Sequence, residues 1–236
     1  MHEFILPGDP PVRVLLRRSA RARRFSLRVS RLDGRVTLTL PANVAERRGI
    51  AFVEEKAGWL RQRLSERTPD IPVAVGTVLT VAGQPLVVAP SSRSRIDPAA
   101  GVIAVARSSR SVPTTVAALL RGLARDRVVA ASDDHSGRLG RPYARITLRD
   151  TRSRWGSCSA EGALMYSWRL ILAPPGVLDY VCAHEVAHLA EMNHGPQFWA
   201  TVERLRPDYG PDRSWLRRHG EDLHRFRFAA DAEDRS

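Results

Sequence analysis

Apolar and polar residues alternate along two short segments near the N-terminus, residues 25–29 and residues 35–40. A period of two is typical of half-buried β-strands, in which successive side chains point to opposite faces of the sheet. The two segments flank the dipeptide Asp33-Gly34, which favours the tight turn of a hairpin. The pattern therefore predicts a β-hairpin with its turn at Asp33-Gly34.

The rest of the N-terminal half changes from helical to strand patterning. Between residues 43 and 67 apolar residues recur at helical spacing, until Thr68-Pro69 stops the pattern. These positions are Ile50, Val53, Ala57, Leu60 and Leu64. Short apolar segments separated by glycine and proline follow at 73–90 and 102–106, which is typical of strands. We therefore expect residues 1–110 to form a small β-rich lobe that holds one helix.

The C-terminal half is richer in helical pattern. Residues 114–131 place Ala, Leu and Val at helical period, residues 145–172 resemble strands, and residues 175–206 predict two helices. Helical spacing returns at residues 214–225. The pattern predicts a second lobe over residues 111–236 and an α+β fold for the chain.

One predicted helix carries His184, Glu185 and His188 in the pattern HExxH. Residues four apart lie one turn above each other on a helix, so the imidazoles of His184 and His188 face one point. Glu185 projects about 60° around the helix from His188, because each residue advances the helix by about 100°. The opposite side carries an apolar stripe: Leu178, Cys182, Val186 and Leu189. This helix is expected to anchor in a core and to present two imidazoles and a carboxylate to a cleft.

A third histidine follows where this helix is expected to end. Asn193 and Gly195 suit a left-handed cap and Pro196 suits the first turn of a new helix, so the end is predicted near Met192-Asn193. His194 lies in that reversal. A chain that turns back there can return the third imidazole to a metal held by the first two.

Three protein ligands with one open position are typical of a catalytic zinc site, whereas four are typical of a structural one. Glu191 lies on a helix face similar to that of His184, but its position along the helix relative to His188 disfavours it as a ligand. Cys158 and Cys182 are isolated and are interpreted as small buried residues. Surface or packing roles are expected for the remaining histidines: His2, His135, His219 and His224.

Further motifs surround the helix. They are Arg154-Trp155-Gly156-Ser157-Cys158-Ser159, Gly162-Ala163-Leu164, Trp168-Arg169-Leu170, Asp179-Tyr180-Val181 and Asn193-His194-Gly195-Pro196-Gln197-Phe198-Trp199. Together they resemble the YgjP-like family of bacterial metal-dependent hydrolases, which is related to the SprT-like zinc proteases. Residues 24–29, 33–36 and 52–60 are similar to that family as well. The resemblance covers nearly the whole chain and is strongest over residues 145–216.

The resemblance implies a zincin-like catalytic lobe, a small sheet plus the metal helix, in one YgjP-like unit that spans most of the chain. It places the family's three metal ligands and its general base on the residues already singled out: His184, His188, His194 and Glu185. We therefore expect a zinc metallopeptidase in which Glu185 takes a proton from a zinc-bound water and delivers it to the leaving amine. The residue that stabilises the oxyanion stays open, with Tyr209, His219 and several arginines as candidates.

The segment before the metal helix predicts how a substrate is held. Residues 163–172 are strand-like and lead through Ala173-Pro174-Pro175-Gly176 into the helix. If Gly162–Leu172 lies at a sheet edge, its free N–H and C=O groups can pair with any extended peptide. We therefore expect an unfolded protein or peptide substrate that is gripped as an added strand. The alternative is an interior strand with both edges occupied.

The charge balance suggests an alternative function. The chain has 37 basic and 25 acidic residues and a net charge of +12. Lys56 is the only lysine, and so strong a bias towards arginine is more typical of a GC-rich coding background than of selection for phosphate contacts. Eight arginines and no acid lie between Arg13 and Arg31. The alternative is a nucleic-acid-associated protein whose basic lobe docks on DNA, with local or vestigial protease activity.

Composition also indicates a compartment. Two cysteines exclude a disulfide framework, and the N-terminal residues lack the basic-then-apolar order of a signal peptide. No stretch reaches the roughly 18 consecutive apolar residues of a membrane span. We therefore expect a cytoplasmic protein that is not associated with a membrane.

Overall fold

A computed structural model describes residues 2–30, 34–66 and 69–228 of the chain. Within these ranges the fold is α+β, as predicted, with four small sheets and six α-helices. The chain divides into two compact units, Met1–Pro69 and Asp70–Ser236. Across the described ranges, no helix combines the length and apolar character needed to cross a membrane.

The smaller unit contains one sheet with the strand order β1-β2-β4-β3. Its strands are β1 (His2–Leu6), β2 (Val12–Ser19), β3 (Ser26–Val29) and β4 (Val36–Pro41). Strands β3 and β4 pair antiparallel with Val29 opposite Val36, which confirms the two strands of the predicted hairpin. Asp33, the first residue of the predicted turn, lies outside the described residues.

Two helices of the smaller unit follow the sheet, α1 (Glu46–Glu55) and α2 (Ala57–Ser65). The sequence predicted one continuous helix here, and the difference is a break at Lys56, whose ψ of 9° leaves the helical range. Val53 of α1 and Leu60 of α2 are buried in one cluster with alternate residues of β2 and β4. Alternate residues of the strands therefore form one side of this core, and residues at helical spacing on α1 and α2 form the other.

The larger unit begins with a two-residue strand, β5 (Ile71–Pro72). A second four-stranded sheet follows, in the order β6-β7-β9-β8. The sheet consists of β6 (Val78–Val81), β7 (Gln84–Ser91), β8 (Arg95–Asp97) and β9 (Val102–Ala106). The sequence predicted a boundary after residue 110. The boundary lies after Pro69 instead, because the buried face of this sheet shares one core with the helices that follow.

The long helix α3 (Val112–Leu139) extends beyond the predicted residues 114–131 at both ends. The hydroxyl of Ser111 accepts a hydrogen bond from the backbone N–H of Thr114 at 3.4 Å, and this bond caps the start of the helix. Gly140 ends it with a φ of 73°, a left-handed value that favours glycine. Helix α3 packs along the next α-helix, α4 (Pro175–Ala187), which is the helix that carries His184 and Glu185.

A three-stranded sheet in the order β10-β12-β11 lies beside α4. Its strands are β10 (Arg145–Arg149), β11 (Gly156–Cys158) and β12 (Ala163–Ser167). The prediction of an edge strand over Gly162–Leu172 was wrong: β12 is the central strand, and Trp168–Leu172 forms a 3₁₀ helix. Gly162, with a φ of 75°, folds β12 back on β11 while β10 occupies the other edge.

The remaining elements follow α4 in the chain. They are α5 (Pro196–Leu205), α6 (Gly210–His219), a 3₁₀ helix over Gly220–His224 and β13 (Phe226–Arg227), which pairs with β5. Helix α4 contacts α3, α5, α6 and β11, so it is buried along most of its length. Cys182 and Val186 of the predicted apolar stripe are fully buried, which confirms that this side of the helix faces the core.

Candidate metal centre

The imidazoles of His184, His188 and His194 converge on one point. Each offers a ring nitrogen, and these nitrogens all lie within 4.8 Å of one another. The Nε2 atoms of His184 and His194 are 3.0 Å apart. Zinc–nitrogen bonds of about 2.0–2.1 Å in a tetrahedral site separate two ligand nitrogens by about 3.3 Å, so this spacing suits one metal ion.

The reversal that brings His194 back begins earlier than predicted. Helix α4 ends at Ala187, with His188 as its C-cap, and not near Met192-Asn193. The backbone N–H groups of the next two residues bond to carbonyls three residues back, at 3.0 Å each, which tightens the last turn. Neither Asn193 nor Gly195 is left-handed, and the φ of Gly195 is −81°. Pro196 does begin the next helix, as predicted.

A backbone contact fixes the His188 ring. Its Nδ1 lies 2.9 Å from the carbonyl oxygen of Glu191. A carbonyl can only accept, so Nδ1 carries the proton and Nε2 is left for a metal. The carboxylate of Glu191 is not part of the histidine cluster in the described structure. The backbone carbonyl of Glu191 therefore orients the His188 ring, a role that the sequence did not indicate.

Phe198 forms an apolar surface beneath the three rings. Its ring centroid lies 4.9 Å from that of His184, 4.5 Å from that of His188 and 4.6 Å from that of His194. Burial lowers the pKa of His184 to about 3, and the charges of the two other histidines and of Arg213 act in the same direction. Burial also lowers the pKa of His188, although its bond to Glu191 opposes this. Both imidazoles are neutral at pH 7, the form that binds metals.

Glu185 lies against the strand β11. It is only 6% exposed. A methyl group added at Gly156 would lie 2.5 Å from both Cγ and Oε1 of Glu185, so only glycine leaves space for the carboxylate. Burial raises the pKa of Glu185 to about 8, and the positive charge of Arg154 acts against the rise. A divalent cation bound beside it would favour the ionised carboxylate, which is the form that a general base needs.

An aromatic wall, defined here as Tyr180, Tyr209 and Trp199, stands beside the histidines. Tyr209 stacks on Tyr180 and on Trp199, with centroid distances of 5.7 Å to each. Trp199 in turn lies 5.8 Å from the His184 ring and 6.0 Å from the His194 ring. Burial raises the pKa of Tyr180 to about 12, so its hydroxyl keeps its proton. The wall borders two of the three imidazoles.

The structure places the other singled-out residues away from the cluster. Burial raises the pKa of Cys158 to about 11, which keeps this thiol protonated. Cys182 is buried in the core. His135 lies on α3, with Nε2 at 2.8 Å from an oxygen of Asp179, and His224 packs against a tryptophan ring. His2 and His219 are exposed.

A cavity of about 450 Å³ opens next to the cluster. The residues that line it include His188, Leu189 and Met192, together with the charged residues Arg141 and Glu161. A larger and mostly apolar cavity of about 650 Å³, between α3 and the strands β6 and β7, contains none of the three histidines. Of these two cavities, only the smaller is lined by a member of the three-histidine cluster.

A helix that carries two imidazoles and a buried carboxylate, joined by a third imidazole from the next loop, is a centre typical of metal-dependent hydrolases. The family model described as "YgjP-like, metallopeptidase domain" matches residues 23–219. The chain therefore belongs to the YgjP-like metallopeptidase family, which confirms the resemblance seen in the sequence. Membership implies a metal ion, and the three histidines fit one.

One solved structure is similar to part of the chain, the metallopeptidase zymogen of Pyrococcus abyssi abylysin. The sequences are 20% identical, and the alignment covers 38% of this chain and 93% of that chain with a TM-score of 0.35. No curated protein matches the chain.

Proposed function

We propose that this protein is a zinc-dependent metallopeptidase in which Glu185 is the general base. The ion would be held by the three imidazoles of His184, His188 and His194. The observation that carries the proposal is the convergence of these rings beside a buried carboxylate on the same helix. Both cysteines are free thiols, which supports a reducing compartment such as the cytoplasm.

A zinc ion bound there would polarise the scissile carbonyl and make a water molecule acidic enough to attack near neutral pH. Glu185 would take the proton of that water as the oxygen bonds to the carbonyl carbon. When the tetrahedral species collapses and the C–N bond breaks, Glu185 would pass the proton to the leaving nitrogen. The absence of a side chain at Gly156 leaves the space that the Glu185 carboxylate needs for these two proton transfers.

The substrate would be a peptide or an unfolded protein segment. The cavity beside His188 is lined by both apolar and charged residues, so it suits a substrate side chain without strict selection. An interior β12 leaves no free backbone for the added strand that the sequence suggested. Side-chain contacts in the cavity therefore replace strand pairing as the support for substrate binding.

Metal analysis beside a peptidase assay tests this function. We expect purified protein to hold about one zinc ion per chain, because the described residues offer one three-histidine site of the catalytic type. It should cleave an unfolded protein, lose that activity to a chelator and regain it when zinc is restored. Zinc-loaded protein that cleaves neither unfolded protein nor peptides would contradict the proposal.

A second candidate function rests on the sheet of the smaller unit. Strand register places Arg17 beside Thr39 and Arg28 beside Thr37, and Arg13 lies on the same face of β2. The side chain of Arg13 is 73% exposed although it lies 3.4 Å from Glu3. Three arginines on one exposed face are a weak site for phosphates.

We expect this arginine face to bind DNA weakly and with strong salt dependence. Three phosphate contacts predict a slope of about −2.7 in log K against log salt, a loss of about 40-fold between about 0.05 M and about 0.2 M. Titration of labelled duplex DNA at several salt concentrations measures this, and replacing Arg13, Arg17 and Arg28 with Ser should flatten the slope. Tight, sequence-selective binding at physiological salt would instead favour the nucleic-acid-associated function.

A further inference from the structure

Arg213 of α6 places a positive charge beside the candidate metal centre. Its guanidinium carbon lies 4.4 Å from the centroid of Trp199, within cation–π distance. Trp199 is the member of the aromatic wall that borders both His184 and His194. The charge of Arg213 therefore lies on the same wall as two of the three imidazoles.

In the part of the chain that the structure describes, no carboxylate forms an ion pair with the exposed side chain of Arg213. The adjacent Asp212 is engaged by Arg206, with an N–O distance of 2.7 Å. The backbone N–H of Arg213 makes the first-turn helical bond to the carbonyl of Tyr209 at 3.0 Å, which places the residue one turn after that ring. Its guanidinium lies against the Trp199 ring and has N–H donors that no carboxylate among the described residues occupies.

A positive charge next to a site that binds a divalent cation is unfavourable unless an anion forms there. Peptide hydrolysis forms such an anion. As the water oxygen bonds to the carbonyl carbon, the C=O electron pair moves to the oxygen, and this charge disappears again when the C–N bond breaks. Donors that are already in place where the charge develops are the usual way to stabilise it.

We propose that Arg213 is a catalytic residue that donates hydrogen bonds to the tetrahedral oxyanion. The proposal rests on the peptidase function proposed above. Two other candidates come from the sequence. Tyr209 stacks on Tyr180 and Trp199 and offers one O–H donor, whereas an arginine offers five N–H donors. His219 contacts Trp215 and lies 3.7 Å from Asp222, outside the three-histidine cluster.

Arg213→Met removes the cation but keeps a long apolar stem for the Trp199 ring. We expect kcat to fall about 100-fold while KM changes less than about threefold, because the lost interaction exists only in the transition state. Zinc content should be unchanged. The kcat of Arg213→Lys should lie between those of the wild type and Arg213→Met, since lysine keeps the charge but loses the planar donors. Arg217→Met, one turn further along α6, removes the same charge and should have no effect.

A second readout does not depend on turnover. A phosphonamidate peptide carries a tetrahedral anion, and its affinity for the zinc-loaded protein should fall about 100-fold in Arg213→Met. Equal analogue affinity in wild type and variant would overturn the role of Arg213, as would a raised KM with unchanged kcat or a loss seen in Tyr209→Phe instead. An absence of peptide cleavage by the wild type would count against the peptidase function, while the analogue ratio would still decide the role of Arg213.

Discussion

Glu185→Gln is expected to abolish peptide hydrolysis while the protein keeps its zinc and its fold. The amide has nearly the same shape as the carboxylate but cannot take a proton from water. Loss of a general base typically costs 10²–10⁴-fold in rate, so we expect kcat to fall by about that factor or more. The rate of cleavage of an unfolded protein measures the loss of hydrolysis, and metal analysis of the same sample measures the retained zinc.

The fold should survive because the substitution adds no volume at a crowded position. Glu185 is buried against Gly156, where even a methyl group would be too close. Glutamine fits the same space, whereas a larger residue would displace β11. Glu191→Gln is the matched control, since its carboxylate lies outside the histidine cluster and its backbone carbonyl is unchanged. An active, zinc-loaded Glu185→Gln protein would exclude Glu185 as the base.

The parts of the site that depend on local geometry could be predicted from the sequence. The four-residue spacing of His184 and His188 fixes their common face on any helix, and Pro196 marks the start of the next helix. The end of α4 could not be placed from pattern alone. The contact that accompanies this end joins the His188 ring to the Glu191 carbonyl, and it forms only once the chain has turned.

Contacts between distant segments could not be predicted. The need for glycine at Gly156 arises because β11 lies against Glu185, and no pattern in a three-residue strand indicates that neighbour. Arg169 of the Trp168-Arg169-Leu170 motif is almost fully buried and bonds to Asp150 at 2.6 Å and 2.9 Å. The sequence shows only that it is charged, a property that favours exposure.

The boundary between the two units could not be predicted either, because it also depends on contacts between distant segments. The strands between Val78 and Ala106 have the alternation of a separate β-rich lobe. Their buried side chains nevertheless pack in one cluster with residues of α3 and α4. A small sheet must cover its apolar face with some other element, and the sequence does not indicate which element does so.

His194→Ala is expected to lower zinc content sharply with little effect on stability. The substitution leaves two imidazoles, and the ion loses one of its three protein ligands. Mutations of residues that merely orient a ligand cost about 10–100-fold in metal affinity, so loss of the ligand itself should cost at least about 100-fold. His194 is exposed in the loop between α4 and α5, so its truncation removes ring contacts within the site, such as that with Phe198, and leaves the buried core unchanged.

Competition with a chromogenic chelator measures the zinc affinity, and thermal unfolding of the metal-free proteins compares their stability. His219→Ala is the matched control, because it removes an exposed histidine that lies outside the cluster. The metal-free His194→Ala and wild-type proteins should unfold at similar temperatures, so the zinc loss reports the missing ligand and not a damaged fold. If His194→Ala retained zinc with wild-type affinity, His194 would not be a ligand, and the carboxylate of Glu191 would become the next candidate for the third position.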